Sequence, residues 1–138
     1  MLRKTALIVC CALLVSGCKR ELSNKQTVPV KGKVVFANGE PVRWAHIDLL
    51  TTDLTVGVNA SGSTGDDGTL QIRTYSNKDY DGAVPGTYKV SIEAYNQVVM
   101  GTLPPNANSP STVPPGSDKD VTVEIKPDGN DLVITLKN

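Results

Sequence analysis

The chain has 138 residues, 14 Lys and Arg against 14 Asp and Glu, and three cysteines. That length holds one domain, with or without a leader, and argues against a two-domain enzyme with a deep interdomain cleft. A net charge of zero argues against a nucleic-acid partner, and an odd, small number of cysteines argues against a disulfide-built scaffold.

Arg3 and Lys4 precede an apolar run of ten residues, 6–15. A membrane-spanning helix needs about 20, whereas a basic start followed by 7–15 apolar residues is the pattern of a secretory signal peptide. Leu14-Val15-Ser16-Gly17-Cys18 resembles the lipobox of bacterial lipoproteins. The resemblance implies cleavage before Cys18, lipidation of its thiol with diacylglycerol, and acylation of the new amino group with a palmitate-type chain. Two or more chains give stable membrane anchoring. In Gram-negative lipoproteins an Asp after the cysteine resembles an inner-membrane retention signal, so Lys19 favours the outer membrane. The expected location is therefore the bacterial cell envelope, with the domain periplasmic or surface-exposed. Cys10 and Cys11 fall in the leader, so the mature chain is left with no disulfide, no cysteine metal ligand and no cysteine nucleophile. Removing residues 1–17 takes Arg3 and Lys4 from the 14 basic residues and leaves 12 against 14 acidic ones, a net of −2.

Residues 18–27 read as the lipidated cysteine and a flexible polar tether, and residues 28–138 as one domain. From Val28 the pattern alternates. Val30, Gly32, Val34 and Phe36 share one side of a strand. Asn38-Gly39 is a strong short-range turn signal. A second strand is expected over 42–50, with Ala45, Ile47 and Leu49 on one face and Trp44, His46 and Asp48 on the other. A weaker strand is expected over 54–60 and a turn over 61–68, which is rich in Gly, Ser and Asp. Strands follow over 69–75, with Leu70 and Ile72 inward, and over 87–95, with Tyr88, Val90 and Ile92 inward. The Tyr88 ring is expected in the core, its hydroxyl on a backbone partner. Five prolines between residues 101 and 118 preclude regular structure there and indicate a long surface loop. The last two strands are expected over 120–126 and 131–137, either side of a turn at Pro127-Asp128-Gly129-Asn130. About seven short strands without a helical period define an all-β sandwich or small barrel.

Three segments resemble a carboxypeptidase regulatory-like domain. They are Val30-Lys31-Gly32-Lys33-Val34 with Asn38-Gly39-Glu40-Pro41-Val42 and Ala45, Ile47 and Leu49; Thr64-Gly65-Asp66-Asp67-Gly68-Thr69-Leu70; and Val84-Pro85-Gly86-Thr87-Tyr88-Lys89-Val90-Ser91-Ile92. With the lipobox and the Pro-rich stretch, the chain resembles the small lipoproteins of planctomycete bacteria. The resemblance implies a transthyretin-like (prealbumin-like) seven-stranded antiparallel Greek-key β-sandwich, preceded by a lipoprotein signal peptide. Gly65 and Leu70 depart from the family's usual Asp and aromatic residue, and affect a turn and core packing.

No catalytic residue, cofactor or metal site is expected. His46 is the only histidine, and no Gly-x-Ser-x-Gly elbow accompanies it. The transthyretin fold also hosts a hydrolase of a purine-degradation intermediate. That family needs several histidines and a C-terminal Tyr-Arg-Gly-Ser, which this chain lacks. Asp66, Asp67, Asp79 and Asp81 are read as turn formers rather than calcium ligands. The expected function is a non-catalytic binding or structural module, held on the membrane through Cys18, with an envelope protein or a glycan as partner. The alternative is a carbohydrate- or small-ligand-binding module using the outer sheet face around Trp44, His46 and Asp48.

Overall fold

The computed structural model of the protein describes residues 25–75, 80–93 and 102–137. Seven strands follow in chain order: β1 Lys31–Phe36, β2 His46–Thr51, β3 Ala60–Thr64, β4 Leu70–Arg73, β5 Gly86–Glu93, β6 Thr122–Ile125 and β7 Asp131–Leu136. The described residues contain no helix. Five strands form an antiparallel sheet in the order β4-β3-β2-β5-β6, and β1 pairs with β7 alone. Strands β2, β3 and β4 meander, and β5 returns to lie beside β2.

The larger sheet curls into a half-barrel, and β1 closes part of its open side. The Val34 amide donates to the Gly68 carbonyl at 2.9 Å, and Lys33 forms a bridge with Thr69 ahead of β4. Gly68 has φ 78°, and a Cβ there would lie 2.6 Å from the Val34 carbonyl oxygen, so this junction needs glycine. The core lies between the sheets. Val34, Ile134 and Leu136 of the small pair face Ile47, Leu49, Leu70, Ile72, Val90, Ile92 and Ile125 of the large one. Burying one such side chain contributes about 1.5–3 kcal/mol. Tyr88 is buried among them, and its hydroxyl donates to the Val84 carbonyl at 2.7 Å. Thr64 is a fully buried polar residue beside this core, and its Oγ1 accepts from the Ala45 amide at 2.9 Å.

Three expectations about the strands change. The β1–β7 pair is parallel, with Lys31 opposite Asp131 and Phe36 opposite Leu136, so the sheets are not antiparallel throughout. A parallel pair needs a long crossover, and here the whole intervening domain supplies it. The strand expected over 42–50 begins only at His46. Residues 41–42 turn back along β1, with Pro41 bridged to Val35 and the Val42 amide donating to the Val34 carbonyl at 3.0 Å, and Trp44 at φ 53°, a left-handed conformation, then carries the chain across to the other sheet. The strand expected over 54–60 lies instead at Ala60–Thr64, within the stretch read as a turn. Its small side chains suit a central position: Gly62 pairs with Ile47 on one side and Ile72 on the other. A Cβ on Gly62 would lie 1.8 Å from the Gln71 carbonyl oxygen. Strand propensity at this position is overruled by close approach of the neighbouring backbone.

The Pro-rich stretch holds no strand or helix over residues 102–118, yet it is not wholly superficial. Ser111 and Ser117 are buried, and Val113 packs on the core.

Candidate functional site

Cross-strand register converts period-two alternation into rows that run across the sheet. On the outer face of the large sheet, Glu93, His46, Ser63 and Gln71 form one row through the pairs His46–Glu93, His46–Ser63 and Ser63–Gln71. Ser91, Asp48, Ser61 and Arg73 form the next. Between them, on the inner face, run Ile92, Ile47, Gly62 and Ile72. The same four strands therefore present an apolar inner row flanked by two polar outer ones.

The outer rows surround an open trough of about 380 Å³ lined by His46, Ser61, Ser63, Gln71, Arg73 and Tyr80. That volume is at the lower end of small-molecule sites. The serines of β3 are short and leave the floor low, while Gln71, Arg73 and His46 rise on either side. Tyr80, itself at φ 48° and 61% exposed, stands at the rim. The lining offers hydroxyls, an amide, an imidazole and a guanidinium, and includes no carboxylate. It suits a ligand that exchanges many hydrogen bonds, with any negative group beside Arg73. Asp48 flanks the trough, its Oδ1 3.4 Å from His46 Nε2.

Of the three residues expected on this face, His46 and Asp48 are in contact, and His46 lines the trough. Trp44 is directed elsewhere, because its left-handed backbone breaks the alternation two residues before β2 gets under way. Its indole Nε1 donates to Asp66 Oδ1 at 3.2 Å. Asn108 of the Pro-rich stretch donates to the same carboxylate twice, from its amide to Oδ1 at 3.2 Å and from Nδ2 to Oδ2 at 2.7 Å. Ser111 and Arg43 exchange a second pair: the Arg43 amide donates to Ser111 Oγ and the Ser111 amide to the Arg43 carbonyl, both at 2.8 Å. These contacts clip the Pro-rich stretch to one end of the domain, with Trp44 in the clip.

Asp67 and Asp81 have local partners. Asp67 accepts from the Thr69 hydroxyl and amide, which hold its carboxyl below the usual carboxylate range, helped by Lys33 at 3.5 Å. Asp81 Oδ1 accepts from the Thr74 amide at 2.7 Å, while its Oδ2 is buried without a partner. Asp79 lies outside the described residues. Among the described residues, no three His, Cys, Asp or Glu side chains gather as a metal site.

Ser61, Ser63, Gln71 and Arg73 were missed by sequence reasoning. Gln71 and Arg73 carry a signal in the sequence, as the polar partners of Leu70 and Ile72. The serines carry one too, since they alternate with Ala60, Gly62 and Thr64, but Gly and Ser composition favours a turn. Compared with known proteins, the chain matches no family model, no curated protein and no solved structure.

Proposed function

We propose that the protein is a lipid-anchored module of the bacterial cell envelope that binds a hydroxyl-rich polar ligand, such as a glycan, in the trough of the outer sheet face, without catalysis. The observation that carries the reading is the pair of polar rows across four strands around a groove of about 380 Å³. Short hydroxyl residues on the floor between taller donors leave room for such a ligand. Trp44 is not required for the trough, since its indole is committed to Asp66. The anchor is argued from Leu14 to Cys18 and the apolar run before it.

The fold proposed is the transthyretin-like Greek-key sandwich of a carboxypeptidase regulatory-like domain. The return of β5 beside β2 after the β2-β3-β4 meander supports it, because that order is the Greek-key arrangement. The outer membrane is the proposed location, from Lys19.

A glycan array with wild-type, Ser63→Phe and Trp44→Ala proteins tests the binding reading. Binding that is lost on filling the trough with Ser63→Phe and kept in Trp44→Ala is the expected outcome. Binding lost only in Trp44→Ala would move the site to the clip, and no binding by the wild type would dismiss the glycan. Palmitate labelling in cells tests the anchor separately: it should vanish in Cys18→Ala, and persistent labelling would refute the anchor.

A further inference from the structure

The chain enters the domain at the end opposite the clip, and it is strapped there. Lys25 Nζ donates to the Val56 carbonyl at 2.7 Å and also to the Thr55 carbonyl. The Tyr75 hydroxyl donates to the Lys25 carbonyl at 3.2 Å. Lys25 therefore joins the entering segment to the loop between β2 and β3.

That loop has a fixed shape. Asp53 Oδ1 accepts from the Thr55 amide and hydroxyl, both at 2.7 Å, and the Asp53 carbonyl accepts from the Val56 amide at 3.0 Å and the Gly57 amide at 3.2 Å. Val56 turns inward and is buried. Leu54 turns outward and is 97% exposed, more than the other exposed large apolar residues among the described ones, Leu50 at 40%, Tyr80 at 61% and Val133 at 71%. A single exposed leucine is ordinary on a protein surface. Here it sits at the tip of a braced turn strapped to the entering chain.

Seven peptide steps separate Lys25 from Cys18. Fully extended, they span at most about 25 Å. If Cys18 carries the lipid, this end of the domain cannot move farther than that from the bilayer. We propose that the β2–β3 loop is a membrane-contact element: Leu54 dips into the lipid surface at the boundary of headgroups and acyl chains, and the Lys25 strap sets the orientation. The proposal rests on the lipid-anchor reading. The contact is apolar rather than electrostatic, because Asp53 flanks Leu54 and the mature chain is net −2, so a zwitterionic bilayer suffices. One leucine does not hold a protein on a membrane. A tethered loop, however, meets the surface at an effective concentration on the order of millimolar, where a weak preference selects an orientation.

The orientation places Trp44, Asp66 and the Pro-rich stretch away from the membrane. Six residues of β2 separate the two ends, about 20 Å at the strand rise.

The test uses the chain from Cys18 onward, which keeps all the described residues and has Cys18 as its single thiol. Coupling that thiol to a maleimide lipid in phosphatidylcholine vesicles imposes the attachment chemically. Lipids brominated on the acyl chains should quench the added fluorescence of a Leu54→Trp variant and leave the native Trp44 emission of the wild type unquenched. Leu54→Trp without quenching, or wild type quenched equally, would overturn the proposal. A Lys25→Ala change in the Leu54→Trp background should lose at least half of the quenching, and unchanged quenching would overturn the role of the strap. Failure of palmitate labelling in cells would remove the anchor and with it the basis of the proposal, whereas absent quenching here would strike the membrane contact alone, because the attachment is imposed chemically.

Discussion

Ile47 and His46 are neighbours in β2, yet they belong to regions with opposite physics. The inner face of the large sheet carries Ile47, Leu49, Ile72, Val90 and Ile92, packed against β1 and β7. The outer face carries His46, Asp48, Ser61, Ser63, Gln71 and Arg73, in register across the same strands. The inner row holds the fold together, since removing apolar area from water is the dominant favourable term. The outer rows contribute less to stability, because their polar side chains keep contact with water in the folded state and bury little apolar area. Residues that stability does not require are free to serve recognition.

The largest expected effect breaks the inner face. Ile47→Ala should cost about 2–5 kcal/mol in urea unfolding, because a fully buried side chain leaves a cavity behind. Ser61→Ala on the outer face should stay within about 0.5 kcal/mol of wild type. Equal losses from the two would erase the distinction between the faces.

Tyr88 refines the comparison, as a polar group that does belong inside. Tyr88→Phe deletes the hydrogen bond to Val84 and should cost about 1 kcal/mol near neutral pH. Burial raises the Tyr88 pKa above the ordinary phenol value, with Tyr75 adding to the effect. The unfolded chain therefore ionises first as pH rises past about 10, and stability falls from that point until the folded value is reached. The alkaline limb of a stability-against-pH curve should be flatter in Tyr88→Phe than in wild type.

Asp66→Ala examines the clip, which is neither face. Its loss should cost about 1 kcal/mol, red-shift Trp44 emission and speed hydrogen exchange at the Ser111 amide. An unaltered Trp44 spectrum would show that the indole does not depend on Asp66.

The smallest effect is local and acidic. Thr55 holds the Asp53 carboxyl below the usual range, as Thr69 does for Asp67. A depressed carboxylate pKa contributes stability that is full above the ordinary value near 4 and is lost as pH falls through the lower folded value. Both side chains are exposed, so the change should show as faster exchange of the Thr55 and Thr69 amides below about pH 4, with the global fold intact.

Much of the fold was legible in the sequence because the inner face writes itself as period-two apolar residues. Ala45, Ile47 and Leu49, Leu70 and Ile72, and Tyr88, Val90 and Ile92 all turn inward as the alternation implies. β3 was less legible, since its strand identity comes from neighbours on both sides rather than from a run of Val or Ile. The parallel β1–β7 pair was not legible at all: alternation marks faces and says nothing of strand direction. The trough followed the same limit. His46 was visible as the outer partner of Ile47, but its companions on β3 and β4 meet it only through register. Trp44 looked like a third member of the face, and a single left-handed residue removed it.

The outer face is proposed as a ligand-binding surface. Its most direct test is a ¹H–¹⁵N titration of the chain from Cys18 with neutral and acidic oligosaccharides. A binding saccharide is expected to shift the amides of His46, Ser61, Ser63, Gln71 and Arg73 and to leave those of Asp66, Asn108 and Ser111 in place. Shifts confined to Asp66, Asn108 and Ser111, or no shift with any saccharide, would contradict it.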